Sequence, residues 1–158
     1  MLATPFIFER RKSIMLKKTL TYKDFEDRDV TETFYFNLTQ TELISVALGL
    51  PDVDETTATT DVRTVGVKLL EKLGGEGVFD FIKDLVAKSY GVKSADGKRF
   101  IKTPEQTEEF KQTLAYDTIV MELLNDDNAA SEFVNHIIPA SVLEKMIEKR
   151  NAQQSTSN

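Results

Sequence analysis

The stretch Gly91-Val-Lys-Ser94 comes nearest in this chain to a phosphate-cradling loop. Such a loop needs two glycines at fixed spacing, with Lys directly after the second, and here Val92 intervenes. Gly74-Gly-Glu-Gly77 follows a helical pattern rather than a strand, so it reads as helix capping and not as a dinucleotide turn. Asp52-Val-Asp54 opens like a calcium loop, but position six would be Thr57 in place of Gly and position twelve Arg63 in place of Glu. His136 is the one histidine and lies beside an apolar stripe, where a surface or core-edge histidine is expected. With no Cys, the chain lacks thiol nucleophiles, thiolate metal ligands and disulfides together, which fits a reducing cytoplasm. The pairs Glu108/Glu109 and Asp126/Asp127 read as helix-start charges that favour the positive end of the helix dipole. No constellation here asks for an enzyme, a metal or a cofactor.

What remains chemically is charge and apolar surface. The net charge of −6 argues against nucleic-acid binding, which needs a dense basic surface. Residues 1–28 hold seven Lys/Arg against four Asp/Glu, a basic head on an acidic body that a solvated surface explains. No apolar run approaches the roughly 20 residues of a membrane span. The apolar stretch Leu2–Phe8 precedes its charges, the reverse of a secretory signal. Residues 1–14 read either as an upstream in-frame start before Met15 or as a flexible arm.

The elements that position these groups follow from periodicity. Residues 17–25 and 30–36 alternate around the polar turn Glu26-Asp-Arg-Asp29 and predict a β-hairpin. A two-stranded hairpin is barely stable alone, so it must lie on helices or pair with another chain. Thr39-Gln-Thr-Glu42 is a capping box with Leu38 and Leu43 as its staple; the helix it opens stops at Gly49 and Pro51. The Thr-rich stretch 52–60 reads as a flexible linker. Helices are predicted over 61–73 and 76–90, with Gly91 as a left-handed cap after the second. Asp96-Gly97 marks a tight turn in a short hairpin or ordered loop. Thr103-Pro-Glu-Gln106 opens a helix through Leu124, Asp126-Asp127 caps another through Ile138, and Ser141 restarts a last one after Pro139. Residues 151–158 read as a disordered tail. The fold class expected is mainly α with a small N-terminal β-hairpin: a hairpin followed by a helical bundle in one domain, 15–150.

The segment Lys88-Ser-Tyr-Gly-Val-Lys-Ser-Ala-Asp-Gly-Lys-Arg-Phe-Ile-Lys102 resembles the central signature of tail assembly chaperones from siphophages of Gram-positive hosts. Glu109-Phe110, Ala115-Tyr116, Met121-Glu-Leu123, Ala129-Ala130, Phe133 and Ile137-Ile138-Pro139 continue the likeness downstream. Lys17–Tyr22 and Thr33–Leu38 are similar to the family's opening hairpin and first helix entry. The resemblance implies a non-enzymatic protein of the host cytoplasm that coats the apolar helical tape-measure protein before the tail tube encloses it. It also implies a longer frameshifted form that brings in tail-tube protein, this chain looking like the short form. Self-association through the edges of the 17–36 hairpin is a further expectation. A structural component of the virion tail is the alternative, though a tube subunit should be dominated by strands.

On that resemblance, partner contact is expected at Tyr90, Lys93, Lys98, Arg99, Phe100 and Lys102. A client groove is expected between helices 76–90 and 128–138, with the four cations of the 92–102 loop as its rim. The competing reading, that Phe79, Ile82, Phe133 and Ile137 are simply core, stays open.

Overall fold

The computed structural model describes residues 15–139, apart from the side chains of Val62 and Arg63. The expectations for residues 1–14, for a helix restarting at 141 and for the tail at 151–158 lie outside the described residues.

Strands β1 (Leu16–Lys23) and β2 (Asp29–Phe36) pair antiparallel over their full length, from Leu16↔Phe36 to Lys23↔Asp29. The turn between them is held by the Asp24 carboxylate, which accepts from the backbone N–H groups of Glu26 and Arg28 and from Arg28 Nε. Alternation sends Leu16, Leu20, Tyr22, Phe34 and Phe36 to one face. The other face carries threonine rungs, Thr19–Thr33 and Thr21–Thr31, each closed by a 2.8 Å hydroxyl bond.

The expected hairpin is present, but it is part of a larger sheet and not the small two-stranded element that the sequence suggested. It forms half of a four-stranded antiparallel sheet ordered β1-β2-β3-β4, with β3 at Tyr90–Lys93 and β4 at Phe100–Ile101. Tyr35 pairs with Gly91 and Phe36 with Tyr90. The two short strands thus give β2 a second partner and leave β1 as an edge among the described residues. Their turn is the expected one: Gly97 has φ +74°, and Asp96 accepts from the Ser94 hydroxyl at 2.6 Å and from Lys98 N at 3.0 Å.

Seven helices follow among the described residues. Helix α1 (Gln40–Ala47) has the full Thr39/Glu42 capping box, with Leu38 and Leu43 buried beneath it. The Thr-rich stretch is α2 (Glu55–Thr60), not a linker. Asp54 caps it, Thr59 and Thr60 hydroxyls donate to carbonyls one turn back, and Ala58 and Val53 are buried. Local back-bonding satisfies the polar side chains while two small apolar contacts dock the turn, a combination that composition conceals. Helix α3 (Val62–Leu73) is capped by Asp61, and α4 (Val78–Ser89) starts at Gly77, whose φ of +74° sets the sharp entry. The predicted 103–124 helix is two: α5 (Pro104–Lys111) and α6 (Leu114–Asn125), divided where Thr113 caps the second by accepting from Tyr116 N. Helix α7 (Asp127–Ile137) is capped by Asp126 as expected.

Helix α6 is the hub, packing on α4, α5, α7 and β1. Between the sheet and the helices lies an aromatic cluster centred on Phe110, which stacks on Tyr90 at 4.0 Å and meets Tyr116 edge-on at 5.4 Å. Phe36 bridges this cluster to Phe133 at 5.3 Å. Lys18 ties β1 to α6 through Glu122 at 2.8 Å.

Candidate interaction surfaces

An apolar groove of about 310 Å³ opens between α3, α4, α6 and α7. Its floor is Ile82, Leu123 and Ala130, all buried; Leu73, Val78 and Leu124 line it half-buried, and Leu70 stands at 44% exposure. Asp127 and Ser131 of α7 supply its polar edge. The expected groove between the 76–90 and 128–138 helices corresponds to this one, with α6 as floor and α3 as an additional wall. Of the four residues whose role stood open, Ile82, Phe133 and Ile137 are buried. Phe79 is half exposed beneath Lys83, whose Nζ lies 4.8 Å from its ring. Leu70 was missed because it lies off the Val65/Leu69 stripe that faces the core.

The 88–102 segment separates into different environments. Tyr90 is part of the aromatic cluster, and burial raises its phenol pKa, with Glu32 and Glu109 adding to the effect. Lys102 is pinned: its ammonium donates to Asn37 O at 2.6 Å and to Glu42 Oε2 at 2.7 Å. Burial lowers its pKa against the pull of Glu42. Burial works to raise the Glu42 pKa, but bonds from Lys102 and from Thr39 N outweigh it and hold the carboxyl below its usual value. One Glu thus closes the α1 cap and anchors β4 to the start of α1. The pair borders a second cleft of about 410 Å³ between α1, α4 and α5.

Lys93, Lys98 and Arg99 are exposed. Lys93 and Phe100 are cross-strand partners on the solvent face of the sheet, and Lys93 Nζ sits 4.9 Å from the Tyr35 ring centre. Gly91 is on the same face, and the Phe100 ring lies over it: a Cβ at 91 would come within 2.8 Å of Phe100 Cε2. Gly91 is therefore not the helix cap its position suggests; it leaves room for a ring. The structure brings together Lys93, Phe100 and Lys102 of the expected contact residues, the Lys102 ammonium 5.5 Å from the Phe100 ring centre, with Lys98 and Arg99 on the adjoining turn and Tyr90 half-buried against the core. Tyr35 and Gly91 completed this face unforeseen, because cross-strand register is not visible in one strand's sequence.

His136 is exposed and bonds within its own helix to Glu132 O. Among the described residues no group of three or more His, Cys, Asp or Glu is placed to hold a metal ion, and no helix is long and apolar enough to cross a membrane.

A family model described as phage tail assembly chaperone matches residues 15–158, which is most of the chain. No curated protein and no solved structure matches.

Proposed function

We propose that this chain, which belongs to the phage tail assembly chaperone family, binds the tape-measure protein during tail morphogenesis and does not remain in the virion. It acts in the host cytoplasm as a non-enzymatic binding protein. Family membership carries this reading, and the groove between α3, α4, α6 and α7 indicates where a client fits. A helix presenting apolar residues on one face needs an apolar trough with a polar edge. Leu70, Leu73, Val78 and Leu124 supply the trough, and Asp127 with Ser131 the edge. Tail-tube protein is a second partner, reached through a frameshifted longer form. Self-association follows from β1, whose outer edge pairs with no described strand.

Co-expression with the tape-measure protein of the same phage tests the reading. The wild-type chain keeps that protein soluble and co-purifies with it, and Leu70→Glu, a change on an exposed groove wall, abolishes capture while leaving the fold intact. Recovery of the chain from purified virions in stoichiometric amount would instead favour a structural tail component.

A further inference from the structure

We infer that the solvent face of the sheet around Tyr35, Gly91 and Phe100 docks an extended acidic segment of a partner polypeptide, separately from the helical groove. Three observations support this.

The first is the floor. The core residues Leu16, Leu20, Phe34 and Phe36 are on the opposite face, and on this one Lys17, Thr19, Thr21, Thr33 and Lys93 are exposed, with Tyr35 and Phe100 half-buried. Tyr35 and Gly91 are cross-strand partners, and the Phe100 ring lies over Gly91 at distances that leave no room for a Cβ. The missing side chain at 91 lets two rings share one low surface, a platform for apolar or aromatic side chains of a bound strand.

The second is the distribution of unpaired cations. Lys18, Lys23, Arg28, Lys68, Lys83, Lys88, Lys102 and Lys111 are each in an ion pair with Asp or Glu. Lys17, Lys93, Lys98 and Arg99 are in none among the described residues; Lys17 and Lys93 are on this face, and Lys98 and Arg99 are on the turn that joins β3 to β4; Lys72 is the other unpaired cation whose side chain is described. Lys17 faces Tyr35 across the β1–β2 ladder, Lys93 lies over the Tyr35 ring, and Lys98 and Arg99 sit on the adjoining turn. In a chain of net charge −6, with acids paired to most other cations, such a concentration leaves carboxylates to be supplied from outside.

The third is rigidity. The turn bearing Lys98 and Arg99 is fixed by Asp96, by the Ser94 Oγ bond from Arg99 N at 3.0 Å and by the Ser94 N to Arg99 O bond at 2.9 Å. The side chains are exposed while their backbone is held, which lowers the ordering cost of binding. A polypeptide fits better than a nucleic acid: a few cations beside neutral threonine rungs and Asp29 at the far end of β2 make a short cationic patch and not a phosphate track.

The site shares no residue with the groove, so the test distinguishes the two. A fluorescein-labelled peptide of alternating Glu and Tyr is titrated with the full chain by fluorescence anisotropy, with a Gln-for-Glu peptide as control. The Glu peptide binds, the Gln peptide does not, and affinity falls with added salt. The double variant Lys17→Glu/Lys93→Glu loses affinity by about tenfold or more, keeps the wild-type unfolding temperature and sediments as the wild type does. Leu70→Glu binds the Glu peptide normally whatever it does to client capture. Absence of binding, equal binding by the Gln peptide or by the double variant, or tighter binding of labelled oligothymidylate would overturn the inference. A changed sedimentation coefficient of the double variant without peptide would also overturn it, by making this face a contact between copies.

Discussion

At the scale of single residues, Gly91 and Glu42 show how much a position can do that its residue type does not announce. Gly91 has no positive φ to justify a glycine; the Phe100 ring at 2.8 Å does. Gly91→Ala therefore costs about 1–3 kcal/mol by overpacking, and most of that cost disappears in a Phe100→Ala background. Urea unfolding of the double-mutant cycle checks this, and strict additivity would mean the ring does not occupy that space. Glu42 is held below its unfolded pKa by Lys102 and Thr39 despite burial, so its contribution to stability is complete above the unfolded value, about 4.3, and is lost as pH falls through the lower folded value. Asp24, Asp54 and Asp96 are shifted in the same direction by their turn and cap bonds. Thermal melts should show stability falling on acidification below the carboxylate range, less steeply in Glu42→Gln. Lys102→Met removes the cation from a carboxylate and a carbonyl that are part-buried with it, at about 2 kcal/mol. The cation types at 93, 98, 99 and 102 were legible in the sequence; which of them is tethered was not, since Glu42 lies sixty residues from Lys102 along the chain.

At the scale of elements, short-range signals were read well and long-range ones poorly, for a physical reason. Caps are local: Thr39/Glu42, Thr103/Gln106 and Asp126 act within one turn, and each starts a helix where the sequence placed it. Thr103→Ala costs about 1 kcal/mol in the same unfolding assay. The two errors on helices come from polar residues doing local work under cover of composition. Thr113 breaks a periodic stretch into α5 and α6, and the threonines of α2 satisfy themselves along a short helix. A helical 55–60 segment predicts that Ala58→Gly costs about 1 kcal/mol, whereas a linker would show no cost. The sheet was half visible. The turn at Asp96-Gly97 was legible, but Gly91 reads as a helix cap, and only pairing with Tyr35 and Phe36 makes Tyr90 and Gly91 part of a strand.

At the scale of the whole molecule, the described residues form one body in which the aromatic cluster joins sheet to helices and α6 joins the helices to one another. Among the surfaces left open on it are an apolar groove on the helical side and a cationic aromatic platform on the sheet. That division suits a protein whose business is to hold others, and the family match over residues 15–158 places it among phage tail assembly chaperones. The most direct test of client binding at the groove is co-expression of the full chain, wild type or Leu70→Glu, with the tape-measure protein, followed by ultracentrifugation and affinity purification. The account predicts a soluble complex with the wild type and an insoluble, uncaptured client with the equally folded Leu70→Glu variant. A client that is as soluble and as fully captured with the variant, or that is insoluble with the wild type, would contradict it.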